Sequence, residues 1–170
     1  MKLIFVLLFT SLLPLSEFGV DEPADWVAKQ ITVDSFADLS VESAGNVVVL
    51  YSPKNTLQIN GEASCIDGFD AEVKDQTLYL SRKEGFDTCN TEIVIGAPKI
   101  TDINLKNGGI INLSSVRADS MFAHIEGGGI ISLDAGQFLY GKVKNGGVIN
   151  YKGNPEVHSD IVNTGEVIKN

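Results

Sequence analysis

Lys106-Asn107-Gly108-Gly109-Ile110-Ile111-Asn112-Leu113 decides the fold, because the chain repeats it. Glu126-Gly127-Gly128-Gly129-Ile130-Ile131-Ser132-Leu133 and Lys144-Asn145-Gly146-Gly147-Val148-Ile149-Asn150-Tyr151 are close copies. Val162-Asn163-Thr164-Gly165-Glu166-Val167-Ile168-Lys169 is a decayed fourth. The copies begin at 106, 126, 144 and 162, so their spacings are 20, 18 and 18. A strand-like segment precedes each one, as in Ile103 with Leu105 and Ala123 with Ile125. This period is too short for a helical repeat or a propeller blade. It suits a rung of a β-solenoid, whose turn is filled by three short strands and their corners. One rung buries nothing alone, but stacked rungs share a continuous apolar interior. Gly108, Gly109, Gly128, Gly129, Gly146, Gly147 and Gly165 are therefore expected at one corner of successive rungs, where backbones pass closely or φ is positive. Asn107, Asn145 and Asn163 are expected to stack beside them.

Upstream of the repeat the grammar is also strand and turn. Phe36 to Val41, Val47 to Tyr51 and Thr56 to Ile59 read as strands, with Gly45-Asn46 and Asn60-Gly61 as turn signals. Ala71 to Val73 and Thr77 to Leu80 read as two strands joined by Lys74-Asp75-Gln76. No useful length after residue 31 shows apolar spacing at the helical period, so the domain is expected to be all-β. Pro23 to Gln30, which holds Trp26, reads as a polar and mildly helical stretch.

Met1-Lys2 and the apolar run from Leu3 to Leu15 have the form of a secretory signal peptide, expected to span residues 1–19. Residues 20–30 then form an N-terminal segment or cap, and residues 31–170 the solenoid domain. No later segment reads as a membrane span. An exported chain with two cysteines is expected to pair Cys65 with Cys89. The whole chain has 170 residues with 13 Lys+Arg against 22 Asp+Glu, a net charge of -9. That balance argues against nucleic-acid binding, which wants a basic face. With 44% hydrophobic and 21% charged residues, disorder is also excluded.

Phe36-Ala37-Asp38-Leu39-Ser40-Val41, Gly45-Asn46-Val47-Val48-Val49 and Asp75-Gln76-Thr77-Leu78-Tyr79-Leu80 occur in that order. The Gly-Gly copies follow, and then Gly153-Asn154-Pro155-Glu156-Val157 with Gly165. Over about residues 31–170 this succession resembles the putative auto-transporter adhesin head domain, the GIN domain. The resemblance implies a right-handed parallel β-helix, exported, often from Bacteroidota or other Gram-negative bacteria. It supplies no catalytic residues.

Binding is the function expected of such a chain: a non-enzymatic binding or structural module of the cell envelope, adhesive in one version, outside the cytoplasm. Its partner is an unidentified envelope glycan or protein. Phe122, Phe138, Tyr140 and Tyr151 can stack sugars if they point outward. The alternative is a carbohydrate-active β-helix enzyme, a polysaccharide lyase or hydrolase, which needs two carboxylates across a groove. Asp102, Asp119 and Asp134 are scattered in the rungs, while Asp67, Asp70, Glu72, Asp75, Glu84 and Asp87 surround the cysteine loop as solvated charge or a calcium patch. His124 and His158 read as structural or surface residues, so no metal, cofactor or catalytic residue is expected. An uncapped end rung would invite self-association.

Overall fold

The computed structural model describes residues 26–86 and 89–170. The expected signal peptide, the first part of the 20–30 segment and Asp87 lie outside the described residues. Thirteen strands and no helix are found among the described residues: β1 (Trp26–Ile31), β2 (Asp38–Glu42), β3 (Asn46–Tyr51), β4 (Thr56–Glu62), β5 (Phe69–Lys74), β6 (Thr77–Arg82), β7 (Thr91–Ala97), β8 (Asp102–Lys106), β9 (Ile110–Glu126), β10 (Ile130–Lys144), β11 (Val148–Lys152), β12 (Glu156–Val162) and β13 (Glu166–Lys169).

They form one mixed, curled sheet with two lateral series. The first runs β5, β6, β2, β8, the end of β9, the end of β10, then β12. The second runs β1, β4, β7, β3, the start of β9, the start of β10, then β11 and β13. β9 and β10 belong to both. The repeat copies lie in register: Lys106 pairs with Glu126, Glu126 with Lys144, and Lys144 with Val162. The β9–β10 offset is 20 at Ile110↔Ile130 and 18 at Phe122↔Tyr140, and two register shifts between these points absorb the difference.

The sheet is not parallel throughout. β1–β4, β4–β7 and β5–β6 are antiparallel. The mildly helical reading of Pro23 to Gln30 is corrected, since Trp26–Ile31 is a strand paired with β4. A ladder of backbone bonds outweighs a weak helix preference. Asn60-Gly61 lies inside β4 and is not a turn. A Cβ at Gly61 would stand 2.8 Å from Thr91 Cγ2, so the glycine there admits the close passage of β7. The β5–β6 hairpin turns through Asp75 and Gln76 at φ 48° and 62°, the left-handed pair of a type I′ turn.

The core follows from period-two alternation. Leu39, Val41, Ile103, Leu105, Ala123 and Ile125 point inward from the first series, and Val47, Val49, Ile111, Leu113, Ile131 and Leu133 from the second. All are buried, each large side chain contributing roughly 1.5–3 kcal/mol. Between the two series the chain turns through Asn107-Gly108-Gly109, Gly127-Gly128-Gly129 and Asn145-Gly146-Gly147, all at positive φ. The third residue of each triplet is the tightest. A Cβ on Gly129 would lie 2.8 Å from the Gly109 carbonyl oxygen, and that oxygen accepts the Ile130 N–H at 2.9 Å. Of the asparagines, Asn163 donates to Asn145, whereas Asn107 donates to Glu42 at 2.8 Å, because the next turn carries Gly127 at that place.

Cys65 and Cys89 are joined, with Cα atoms 5.6 Å apart and a sequence separation of 24. Arg82 ties this loop to the first corner. Its Nε donates to the Ser43 carbonyl at 3.0 Å and its Nη1 to the Phe86 carbonyl at 2.8 Å, while the guanidinium lies 4.7 Å over the Phe69 ring.

Candidate functional site

The alternation that buries Leu39 and Leu105 sends their neighbours to the outer face of the first series. Lateral pairing sorts these outward residues into rows. One row reads Thr77, Asp38, Asp102, Phe122, Tyr140, His158. The next reads Tyr79, Ser40, Asn104, His124, Lys142, Asp160. Beside the first row, Phe138 pairs laterally with Ser120 and Glu156. Six strands at about 4.8 Å spacing make this face roughly 24 Å long across the strands.

Its later half is aromatic. The Phe122 ring centroid is 5.9 Å from Phe138 and 6.4 Å from Tyr140. Phe138 is 5.5 Å from the His158 ring, and His124 stands edge-on to Tyr140 at 5.9 Å. Phe122 is 40% exposed, an unusual position for a phenylalanine with partners available in the core. The buried Nε2 of His124 has no hydrogen-bond partner among the described residues, although such atoms almost always have one. Polar pairs frame the rings: His158 with Glu156 at 2.8 Å, and Lys142 with Asp160 at 3.5 Å.

Its earlier half is a depression of about 310 Å³ lined by Thr77, Tyr79, Asp38, Ser40, Asp102 and Asn104, among others. The small Ser40 makes room between Tyr79 and Asn104. Asp38 Oδ1 accepts from Thr101 Oγ1 at 2.8 Å and from the Asp102 N–H at 3.1 Å. Burial lifts the Asp102 carboxyl above its ordinary range; the charge of His124 works against the rise and that of Asp38 adds to it. A second depression, about 330 Å³, lies beside β1 and β4 and is lined by Gln30 to Val33 and Asn55 to Gln58, with no titratable group.

The residues singled out in the sequence fall as follows. Phe122, Phe138 and Tyr140 are brought together on the outer face. Tyr151 is not with them; it pairs with Leu133 and packs on the core. Asp119 and Asp134 lie apart from Asp102 on the long strands, Asp134 within 3.8 Å of Arg117. In the cysteine loop Asp67 pairs with Lys29, whose hydrogen bond holds the carboxyl low, and Lys83 reaches Asp70 at 3.3 Å. Among the described residues no three of His, Cys, Asp and Glu gather as a metal site. No helix among them is long and apolar enough to cross a membrane. Sequence reading missed Tyr79, Asp38 and His124 as parts of the face. The Leu-x-Leu and Ala-x-Ile alternation marks each as outward, but only lateral register makes them neighbours.

Comparison with known proteins bears on the family. The profile described as "Putative auto-transporter adhesin, head GIN domain" matches residues 35–123, over half of the chain. The Gly153 to Val157 block lies beyond the match. Among solved structures, a putative adhesin from Bacteroides fragilis is 21% identical, covering 86% of this chain and 97% of its own, with a TM-score of 0.42. A putative lipid binding protein from Parabacteroides distasonis is 14% identical, covering 86% and 98%, with a TM-score of 0.40. A putative cell adhesion protein from Clostridium sporogenes is 13% identical, covering 85% and 98%, with a TM-score of 0.47. At these identities and scores the likenesses say nothing about a ligand. No curated protein matches this chain.

Proposed function

Because this chain belongs to the putative auto-transporter adhesin head GIN domain family, we propose that it is an exported, non-enzymatic binding module whose outer face, around Phe122, Phe138 and Tyr140, holds an extended glycan. The observation that carries this reading is the contiguity of those rings on solvent-facing positions. Sugar rings offer apolar C–H faces and a rim of hydroxyls. Exposed aromatics supply platforms for the first. Asp38, Asp102 and Asn104 supply hydrogen-bonding groups for the second. A net charge of -9 favours neutral or cationic polymers over acidic ones.

In this reading the parallel stack is a right-handed β-helix of 18- to 20-residue rungs, with the glycine triplets as stacked corners. Residues 1–19 are a signal peptide, and the mature chain works in the periplasm or at the cell surface, where Cys65–Cys89 stays oxidised. The module is adhesive when its glycan belongs to a neighbouring surface.

The test is a screen of the purified chain against envelope glycans and envelope proteins, run beside Phe122→Ala/Tyr140→Ala. Glycan binding that the double variant loses supports the assignment. Binding to proteins alone, or glycan binding indifferent to the variant, contradicts it.

One observation favours hydrolysis: Asp38 and Asp102 are lateral neighbours beside the depression, and Asp102 has a raised pKa. Glycoside cleavage needs the two carboxyls to flank the scissile bond. These two stand side by side on adjacent strands of one sheet, and Asp38 is engaged by Thr101 and the Asp102 backbone. Binding is therefore the better reading. Release of reducing ends by the wild type, abolished in Asp102→Asn, would reverse that order.

A further inference from the structure

The first series ends at β12, which among the described residues pairs only with β10. Among the described residues nothing covers the apolar interior at this end. Leu139 and Val143 on β10 are fully buried, whereas Ile161, which follows Val143 in register on the inward side, is 45% exposed. An open edge of this kind offers unpaired backbone groups to another strand. Their direction follows from one bond. The Val162 carbonyl accepts the Asn145 N–H at 3.1 Å, so Val162, Asp160 and His158 direct their backbone groups to β10. By strand alternation Val157, Ser159 and Ile161 direct theirs to the free edge.

We propose that a second copy of this chain pairs antiparallel with β12 about a two-fold axis through Ser159. Pairing there exchanges backbone bonds at Val157 with Ile161, Ser159 with Ser159, and Ile161 with Val157, about six hydrogen bonds in all. The inward Val157 and Ile161 meet their opposites and close both interiors. His158 faces Asp160 of the other copy at a non-hydrogen-bonded position, where side chains come nearest. The neighbouring registers fail. An axis through Asp160 sets that carboxylate against itself. One through His158 sets Glu156 against Asp160. An axis between residues would oppose inward and outward side chains. The sequence Val-His-Ser-Asp-Ile is thus complementary to itself at one register, as a closed two-fold interface requires. The pairing also joins two outer faces across the axis, placing a second aromatic cluster on the same surface for a multivalent ligand. It does not depend on what that ligand is.

Sedimentation across a wide concentration range and cysteine cross-linking test the proposal. The full chain should sediment as a monomer–dimer equilibrium. Ser159→Cys should oxidise to a covalent dimer, since residues paired this way have Cα atoms about 5.5 Å apart, within disulfide reach. His158→Cys should cross-link far less. Ser159→Pro removes a donor that faces the free edge and leaves the β10 bonds in place, so it should stay folded and sediment as a monomer. A wild type that is monomeric throughout, or that grows into open-ended polymers, overturns the proposal. So does Ser159→Cys that cross-links no better than His158→Cys. If Ser159→Pro does not fold, the sedimentation and cysteine results decide alone; if it folds and remains dimeric, the interface lies elsewhere.

Discussion

Replacing Gly129 by alanine should cost about 3–5 kcal/mol of folding stability, and replacing its neighbour Gly128 should cost much less. Both residues have positive φ, +110° and +93°. An alanine at Gly128 meets nothing within 4 Å, so its cost is the conformational penalty alone, about 1–2 kcal/mol. At Gly129 backbone strain of about 1–3 kcal/mol is joined by two contacts. The new Cβ stands 2.8 Å from the Gly109 carbonyl oxygen and 2.7 Å from Leu105 Cδ2. Moving that oxygen weakens its bond to Ile130, worth about 1 kcal/mol net. Leu105 is fully buried, and overpacking a buried side chain costs about 1–3 kcal/mol more. These costs overlap, hence the range stated. Urea denaturation of the two single variants and the wild type, with comparable m-values, reads the difference. If Gly129→Ala falls within about 0.5 kcal/mol of Gly128→Ala, the argument from close rung stacking is wrong and only φ matters at the corner.

Arg82→Lys should destabilise by about 2–3 kcal/mol in the same assay, because one ammonium cannot reproduce a fork that reaches Ser43 and Phe86 together. Cys65→Ser/Cys89→Ser should lose about 3 kcal/mol, the chain entropy of a loop this long, seen as a lower denaturation midpoint under non-reducing conditions. Asp102 has a folded pKa raised chiefly by burial, so its contribution to stability is present below the ordinary value of 3.8 and is lost as pH rises through the folded value. Asp102→Asn should therefore be more stable than the wild type at neutral pH, and the gain should vanish below 3.8; equal midpoints at both pH values would contradict the raised pKa.

The second half of the fold was legible in the sequence because its repeat is lateral pairing written out in residues. Copies at 106, 126, 144 and 162 lie in register, and period-two alternation between them names the core. The first half was legible strand by strand, but apart from the two strands joined by Lys74-Asp75-Gln76 its pairing was not. β4 pairs antiparallel with β1 and β7, and no local signal says which neighbour such a strand will take. Asn60-Gly61 shows the ambiguity: the dipeptide that turns a hairpin elsewhere here makes room for β7. Trp26 to Ile31 lacked a strand pattern because as an outer strand it buries little, and its conformation comes from pairing with β4. For the binding face, Phe122, Phe138 and Tyr140 could be named but not oriented. Tyr151 looked equivalent and turned inward. Asp38, Tyr79 and His124 entered only through lateral register, which joins residues from 38 to 158 on one surface.

Glycan binding by the aromatic outer face is open to direct measurement. Calorimetric titration of the best glycan from the screen into wild type, Phe122→Ala and Tyr151→Phe tests it most directly. Phe122→Ala should lose affinity at least about tenfold, the effect of removing a central aromatic anchor, and the inward Tyr151→Phe should show no change. Equal affinity in wild type and Phe122→Ala, with the variant folded, would contradict it.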